Sequence, residues 1–382
     1  MDRKRLEALV KLQEVAAALT QELEMASKQL VRAHRIRRPS HPIHWETAFA
    51  GKTALRSLFG HAGALGSSMR FLAVDLAQEM GAPIPEQPQR DAVDPAASLQ
   101  STFRDFSTLF EVEIELDFST EHGKAFLALA EIRNEMVRPK TLEQLAAWGV
   151  YPFWAPGYLW YLSQVGDLMS RCALQIPEAA LASQTWELPE YTYTERPEAP
   201  SADDDNKDAG PHSLSVLDHA WQAFEVLVED TSRAMGLASK VGAHDLLFGE
   251  QGQFGMRNLV RTFFAEVEGT IAIASSVLAD FGGRSELAMS DQDLEDLATR
   301  SDLDQKLVEV TRIWSEDFGY QGQIETGGKK WTAFRQALKC RDRIAHPKAA
   351  KDLRVSLEEL DAVLRGQEWL QGFMDLYMDA KS

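Results

Sequence analysis

Apolar residues recur three and four positions apart along most of the chain, with charged and amide side chains between them, and this spacing predicts amphipathic helices. In the first half the predicted helices cover Leu6–Val31, Gly51–Gln78, Leu99–Phe110 and Glu121–Val137, and a helical pattern resumes as far as Leu174. In the second half they cover Leu214–Ala238, Met256–Phe281, Asp291–Phe318 with a break near Arg300, Lys329–His346 and Leu357–Met378. Pro139 and Pro347 stop the fourth helix of each half, because proline lacks the N–H and crowds the preceding turn. The β-branched runs are short and none alternates cleanly between hairpin turn pairs. The expected fold class is therefore all-α, with about five helices in each half.

Two stretches break the helical pattern. Trp148–Tyr161 holds seven aromatic residues around Pro152 and Pro156 without interleaved Arg or Lys. That composition fits a packed surface or interface better than a platform for stacking single-stranded bases. Trp186–Ser213 carries Pro189, Pro197, Pro200 and Pro211 and the acidic segment Ser201–Asp208. It holds too little apolar surface to offset the entropy of ordering and reads as a flexible acidic linker. The expected domains are 1–185 and 214–382, joined by the linker 186–213.

The two halves resemble each other. Ala125–Lys140 laid over Ala333–Lys348 needs no gap and gives five identities in sixteen positions. Downstream, Thr141–Leu145 matches Ser356–Leu360 after an insertion in the second copy. Upstream, Leu55–Phe59 matches Val260–Phe264, each opening an apolar helical stretch. An internal repeat of this length implies two structural units built on one plan.

Composition adds limits. With 382 residues and 45% hydrophobic content, the chain can supply a core to each of two domains. The net charge of -18 opposes broad binding to a polyanion, so any nucleic-acid contact has to be local. One basic stretch, residues 28–44, contains Lys28, Arg32, Arg35, Arg37 and Arg38 with three histidines and no acid. It reads either as an RNA-phosphate patch or as a solvated helix end whose cations face the negative end of the dipole. Cys172 and Cys340 lie in different halves and form no disulfide or metal framework, which fits a reducing compartment. The N-terminus is charged and amphipathic, and no apolar segment is long enough for a bilayer. The expectation is a cytoplasmic protein with no membrane partner.

The candidate chemistry lies in Cys340–Lys348, which places a cation, an imidazole and a helix-stopping proline together. Arg341 and His346 would diverge by about 140° on a continuous helix, and a helix that ends or distorts before Pro347 could bring them together. The same Arg-x4-His spacing occurs at Arg56 and His61, and with one more residue at Arg35 to His41 and Arg38 to His44. Nothing after His61 stops its helix, so that pair is set aside. In the first copy of the repeat the corresponding positions are Arg133, Asn134 and Arg138, so the imidazole is missing there.

The Arg341-Asp342-x3-His346 pattern, repeated in degenerate form, resembles the motif of the HEPN superfamily, small helical domains many of which are metal-independent ribonucleases. The resemblance implies two tandem HEPN-like bundles, the second complete and the first degenerate. It implies a dimeric or pseudo-dimeric site that cleaves RNA to a 2′,3′-cyclic phosphate and a 5′-hydroxyl end, in a toxin-antitoxin or antiviral defence setting with a cognate antitoxin or defence protein as partner. In that reading His346 transfers protons, Arg341 stabilises phosphate charge, Asp342 orients one of them, and Arg133, Asn134 and Arg138 form the opposing pseudo-site. The residue types suit the chemistry, since an imidazole titrates near neutral pH and a guanidinium fork matches phosphate oxygens. No Gly-rich phosphate loop, no paired histidines at metal-ligand spacing and no Gly-flanked serine elbow occurs, so neither metal nor other cofactor is expected. The alternative is a non-catalytic interaction or dimerisation module, in which Arg341 pairs with a carboxylate and His346 is an ordinary turn residue.

Overall fold

A computed structural model describes residues 3–36, 45–84, 95–110, 117–137, 216–239, 249–282, 302–317 and 326–379. Among these residues the chain is all-helical, with nine α-helices and no strand. They fall into two compact units. The first contains Met1–Arg133 and takes in Asp342–Arg354 from the far end of the sequence; the second contains Ala199–Arg341 and Val355–Ser382.

In the first unit α1 (Arg3–Ile36) packs along α2 (Trp45–Met80). An ion pair of 2.7 Å between Lys4 near the start of α1 and Glu79 at the end of α2 fixes the pair as antiparallel. The apolar stripe foreseen in the sequence is the contact face, with Leu12, Val15, Leu19 and Leu23 of α1 and Leu55, Leu58, Leu65 and Met69 of α2 all buried. Helix α3 (Pro95–Phe110) begins on a proline, whose missing N–H is no loss at a first helical position. It lies against α2 at Gly66, where a Cβ would sit 2.8 Å from Leu99 Cδ1, and it buries Phe103, Phe106 and Phe110.

Helix α4 (Glu121–Val137) opens on a turn in which Thr120 Oγ1 accepts from the Gly123 amide at 3.1 Å. Glycine is required at that position, because a Cβ would come 2.3 Å from the Asp117 carbonyl oxygen. The Asp117 carboxylate accepts from the Ser119 amide at 2.8 Å, and the Ser119 contacts hold its pKa below the usual aspartate value. The short 3-10 turn Ala350–Leu353 completes this unit against α1, with Leu353 buried.

In the second unit α5 (Val216–Ala238) packs on α6 (Glu250–Gly282), which also carries α7 (Leu303–Asp317) and α9 (Leu357–Asp379). Helix α8 (Gly328–Ala345) joins α6 and α9 through an aromatic cluster. Phe334 lies 6.0 Å from Phe264 and 4.9 Å from Trp369 between ring centroids, and Trp331 lies 5.0 Å from Trp369. Gly366 lets α9 approach α8, since a Cβ there would stand 3.2 Å from Phe334 Cα. Helix α9 opens with a capping box: the Ser356 amide donates to Glu359 at 2.9 Å and the Glu359 amide donates to Ser356 Oγ at 3.2 Å. No helix among the described residues is long and apolar enough to cross a membrane.

Candidate functional site

Arg341 belongs to the second unit and Asp342–Arg354 to the first. Helix α8 stays regular through Ala345, and the His346 amide still closes a turn on the Asp342 carbonyl at 2.9 Å. Pro347 therefore ends the helix without unwinding it, and the local backbone leaves Arg341 and His346 on faces about 140° apart. Their side chains accordingly take different partners.

In the second unit the Arg341 guanidinium is half-buried and donates through Nη2 to Glu268 Oε1 on α6 at 2.7 Å. In the first unit His346 is exposed, and its Nδ1 lies 2.8 Å from the Ser67 hydroxyl of α2. The residues that follow dock on the same helix. Ser68, fully buried, donates to the Pro347 carbonyl at 2.6 Å, and the Lys348 ammonium sits 4.4 Å from the centre of the Phe71 ring. The loop is then tied to itself, because the Asp352 carboxylate accepts from the Lys348 and Ala349 amides at 2.8 and 3.0 Å, and Arg343 donates to the Asp352 carbonyl. Asp342 is exposed and contributes its backbone carbonyl to the last turn of α8.

Of the residues expected to form an opposing pseudo-site, Arg133 is half-buried on α4, Asn134 follows it in the helix, and Arg138 lies outside the described residues. Of the basic stretch, Lys28 is exposed on α1 and paired with Glu24 one turn earlier, while Arg32 and Arg35 belong to the last turns of that helix. Arg37, Arg38, the aromatic stretch 148–161 and the linker 186–213 lie outside the described residues. Cys340 is buried. Among the described residues no group of three or more His, Cys, Asp or Glu is placed to hold a metal ion.

The second Arg-x4-His match is enclosed. His61 is 1% exposed, neither ring nitrogen has a hydrogen-bond partner among the described residues, and burial pushes its pKa down to about 4. It is a neutral imidazole within α2 and is not available to a substrate.

Sequence reasoning missed Glu268, Ser67, Ser68 and Phe71, which hold the motif, and it missed a buried polar face on α6. There Asn258, Thr262, Glu266 and Thr270 recur every four residues, all buried, beside the buried Arg257. Burial drives the Glu266 pKa up to about 7; the nearby Thr231 hydroxyl opposes this and the charge of Asp230 adds to it. That hydroxyl makes its own long bond of 3.4 Å to the Leu227 carbonyl, so neither Glu266 oxygen has a hydrogen bond among the described residues. Burial lowers Arg257 and Arg261 to about 10, and both remain charged at neutral pH. No protein-family model, no curated protein and no solved structure matches this chain.

Proposed function

We propose that the chain is a metal-independent endoribonuclease of the HEPN kind, built from two related helical units, with His346 as the proton-transferring group and Arg341 as the phosphate-stabilising cation. The observation that carries this reading is the setting of His346. It is an exposed imidazole just beyond the C-terminal end of a helix, with one ring nitrogen already engaged by a hydroxyl, an arrangement suited to general acid–base chemistry. Arg341 and His346 lie about 140° apart on α8, so the reading requires the two groups to meet a phosphodiester across a dimeric or pseudo-dimeric site and not within one motif. The Arg341 ion pair with Glu268 is partly exposed, and such pairs contribute only about 0–1 kcal/mol. A phosphodiester can compete for the guanidinium at small cost.

Kinship of the units is supported by contacts at matching positions. Phe59 and Phe126 lie 5.3 Å apart in the first unit, and Phe264 and Phe334, their counterparts in the repeat, lie 6.0 Å apart in the second. Thr53, Ser57 and His61 of α2 are buried at the positions that Asn258, Thr262 and Glu266 hold on α6. Helix α1 buries Leu12, Val15, Ala16, Leu19, Glu22, Leu23 and Ala26, and α5 buries Ala220, Ala223, Phe224, Leu227, Asp230, Thr231 and Ala234 at the same spacing, with a carboxylate in the same place.

The test is cleavage of transfer, messenger and phage-derived RNA in EDTA by the wild type, Arg341→Ala and His346→Ala. His346→Ala should lower the rate by about 100-fold or more with the fold intact, the usual worth of a positioned acid–base group. Wild-type cleavage insensitive to both substitutions would sink the assignment. A second reading, a non-catalytic helical module that binds a protein partner, is favoured by the Arg341–Glu268 pair, which gives the arginine a structural task. Absence of wild-type cleavage on all three substrates would select it.

A further inference from the structure

We infer that Ser67 is a positioning residue that fixes the ring of His346 and holds it in the tautomer protonated at Nδ1. The helix end does not do this by itself. Beyond Ala345 the backbone is secured by the Ser68 bond to the Pro347 carbonyl at 2.6 Å, the Lys348 contact with Phe71 at 4.4 Å, and the Asp352 bonds to the Lys348 and Ala349 amides. These contacts place the His346 backbone. The Ser67 hydroxyl, 2.8 Å from Nδ1, engages the ring itself.

Ser67 stands on α2 one residue before Ser68, so the side chain that orients the ring and the one that anchors the next peptide come from a single rigid stretch. A hydroxyl can donate or accept, and the direction follows from keeping one bond through both protonation states of the ring. When the imidazole is protonated both ring nitrogens are donors, so Ser67 Oγ must accept from Nδ1–H. A ring that gives up its other proton, from Nε2, keeps that bond unbroken and becomes a base at Nε2. A ring that lost the Nδ1 proton would have to reverse the hydroxyl. Retaining one hydrogen bond through both states leaves Nε2 as the nitrogen that exchanges protons, the logic by which a histidine's second nitrogen sets its tautomer. Its catalytic consequence rests on the ribonuclease reading; the tautomer does not.

The experiment uses full-length protein labelled with 15N-histidine, with long-range 1H–15N spectra at pH 8 reading the tautomer of each ring and the His346 signals identified by their loss in His346→Gln. Wild type should show His346 protonated at Nδ1, Ser67→Ala should move it to the Nε2-protonated form preferred by histidine in water, and Ser67→Thr, which keeps the hydroxyl, should restore it. With RNA, Ser67→Ala should lower kcat by about tenfold with KM unchanged, and Ser67→Thr should recover it. A wild-type ring protonated at Nε2, or a tautomer unchanged in Ser67→Ala, would overturn the inference even if cleavage falls. The spectral change in a protein that cleaves no RNA would uphold the inference and reject the ribonuclease reading.

Discussion

Glu266 and His61 are buried ionisable groups whose effects on stability run in opposite directions with pH. Glu266 has a pKa of about 7 in the folded chain against an ordinary value of 4.5, so between those pH values the folded state holds a proton that the unfolded chain has lost. Its contribution is complete below the lower value and is lost as pH rises through about 7. His61, lowered from 6.5 to about 4, contributes fully above the higher value and loses its contribution as pH falls through about 4. Glu266→Gln removes the first dependence, and at pH 8 it should stabilise the second unit by an amount of the order of 3 kcal/mol, with little change at pH 4. Melting curves at the two pH values decide this, and an equal gain at both would show that ionisation is not the cause. The same scale shows what the sequence could not disclose. The chemical types at Arg341 and His346 are legible, but their partners Glu268 and Ser67 lie 73 and 279 positions away and carry no local signal.

Periodicity located each of the described α-helices and missed the short 3-10 turn Ala350–Leu353, and Glu121–Val137 matched to the residue. Differences fall at the ends. Helix α2 begins at Trp45 and α6 at Glu250, each six residues before its expected start, through Gly51 in one case and Gly252 and Gly255 in the other. Gly51 lies in a buried stretch of helix, and Gly255 has only the Ala238 Cα, at 3.8 Å, near the place of a Cβ. Packing outweighed a propensity cost of about 1 kcal/mol. The early start of α6 has its own consequence. It brings Gln253, whose amide donates to the Val355 carbonyl at 3.1 Å and accepts from the Val355 amide at 2.9 Å, to the buried entry of α9. Gln253→Ala strands two buried backbone groups and should cost about 2–4 kcal/mol, and Gln253→Met, which keeps the side-chain volume and loses both bonds, should cost nearly as much. Urea denaturation measures both, and a Met variant as stable as the wild type would assign the effect to packing.

Across the whole chain, the two compact units do not follow sequence order, because Asp342–Arg354 belongs with Met1–Arg133. Periodicity could not foretell this, since a helical stripe records that a face is covered and not which segment covers it. Leu353, 2% exposed in the 3-10 turn against α1, puts the point to experiment. Leu353→Ala should cost about 2–4 kcal/mol and raise amide hydrogen exchange in α1, more than three hundred residues earlier in the sequence. Exchange that rises only in α5 to α9 would refute the assignment of this segment. The arrangement also bears on biosynthesis. A ribosome releases residues in order, and roughly 10 to 40 s separate the emergence of Arg133 from that of Asp342 at about 5–20 residues per second. Through that interval the helices of the first unit have left the exit tunnel with part of their apolar surface uncovered, and that surface stays open to chaperones until Asp342–Arg354 emerges.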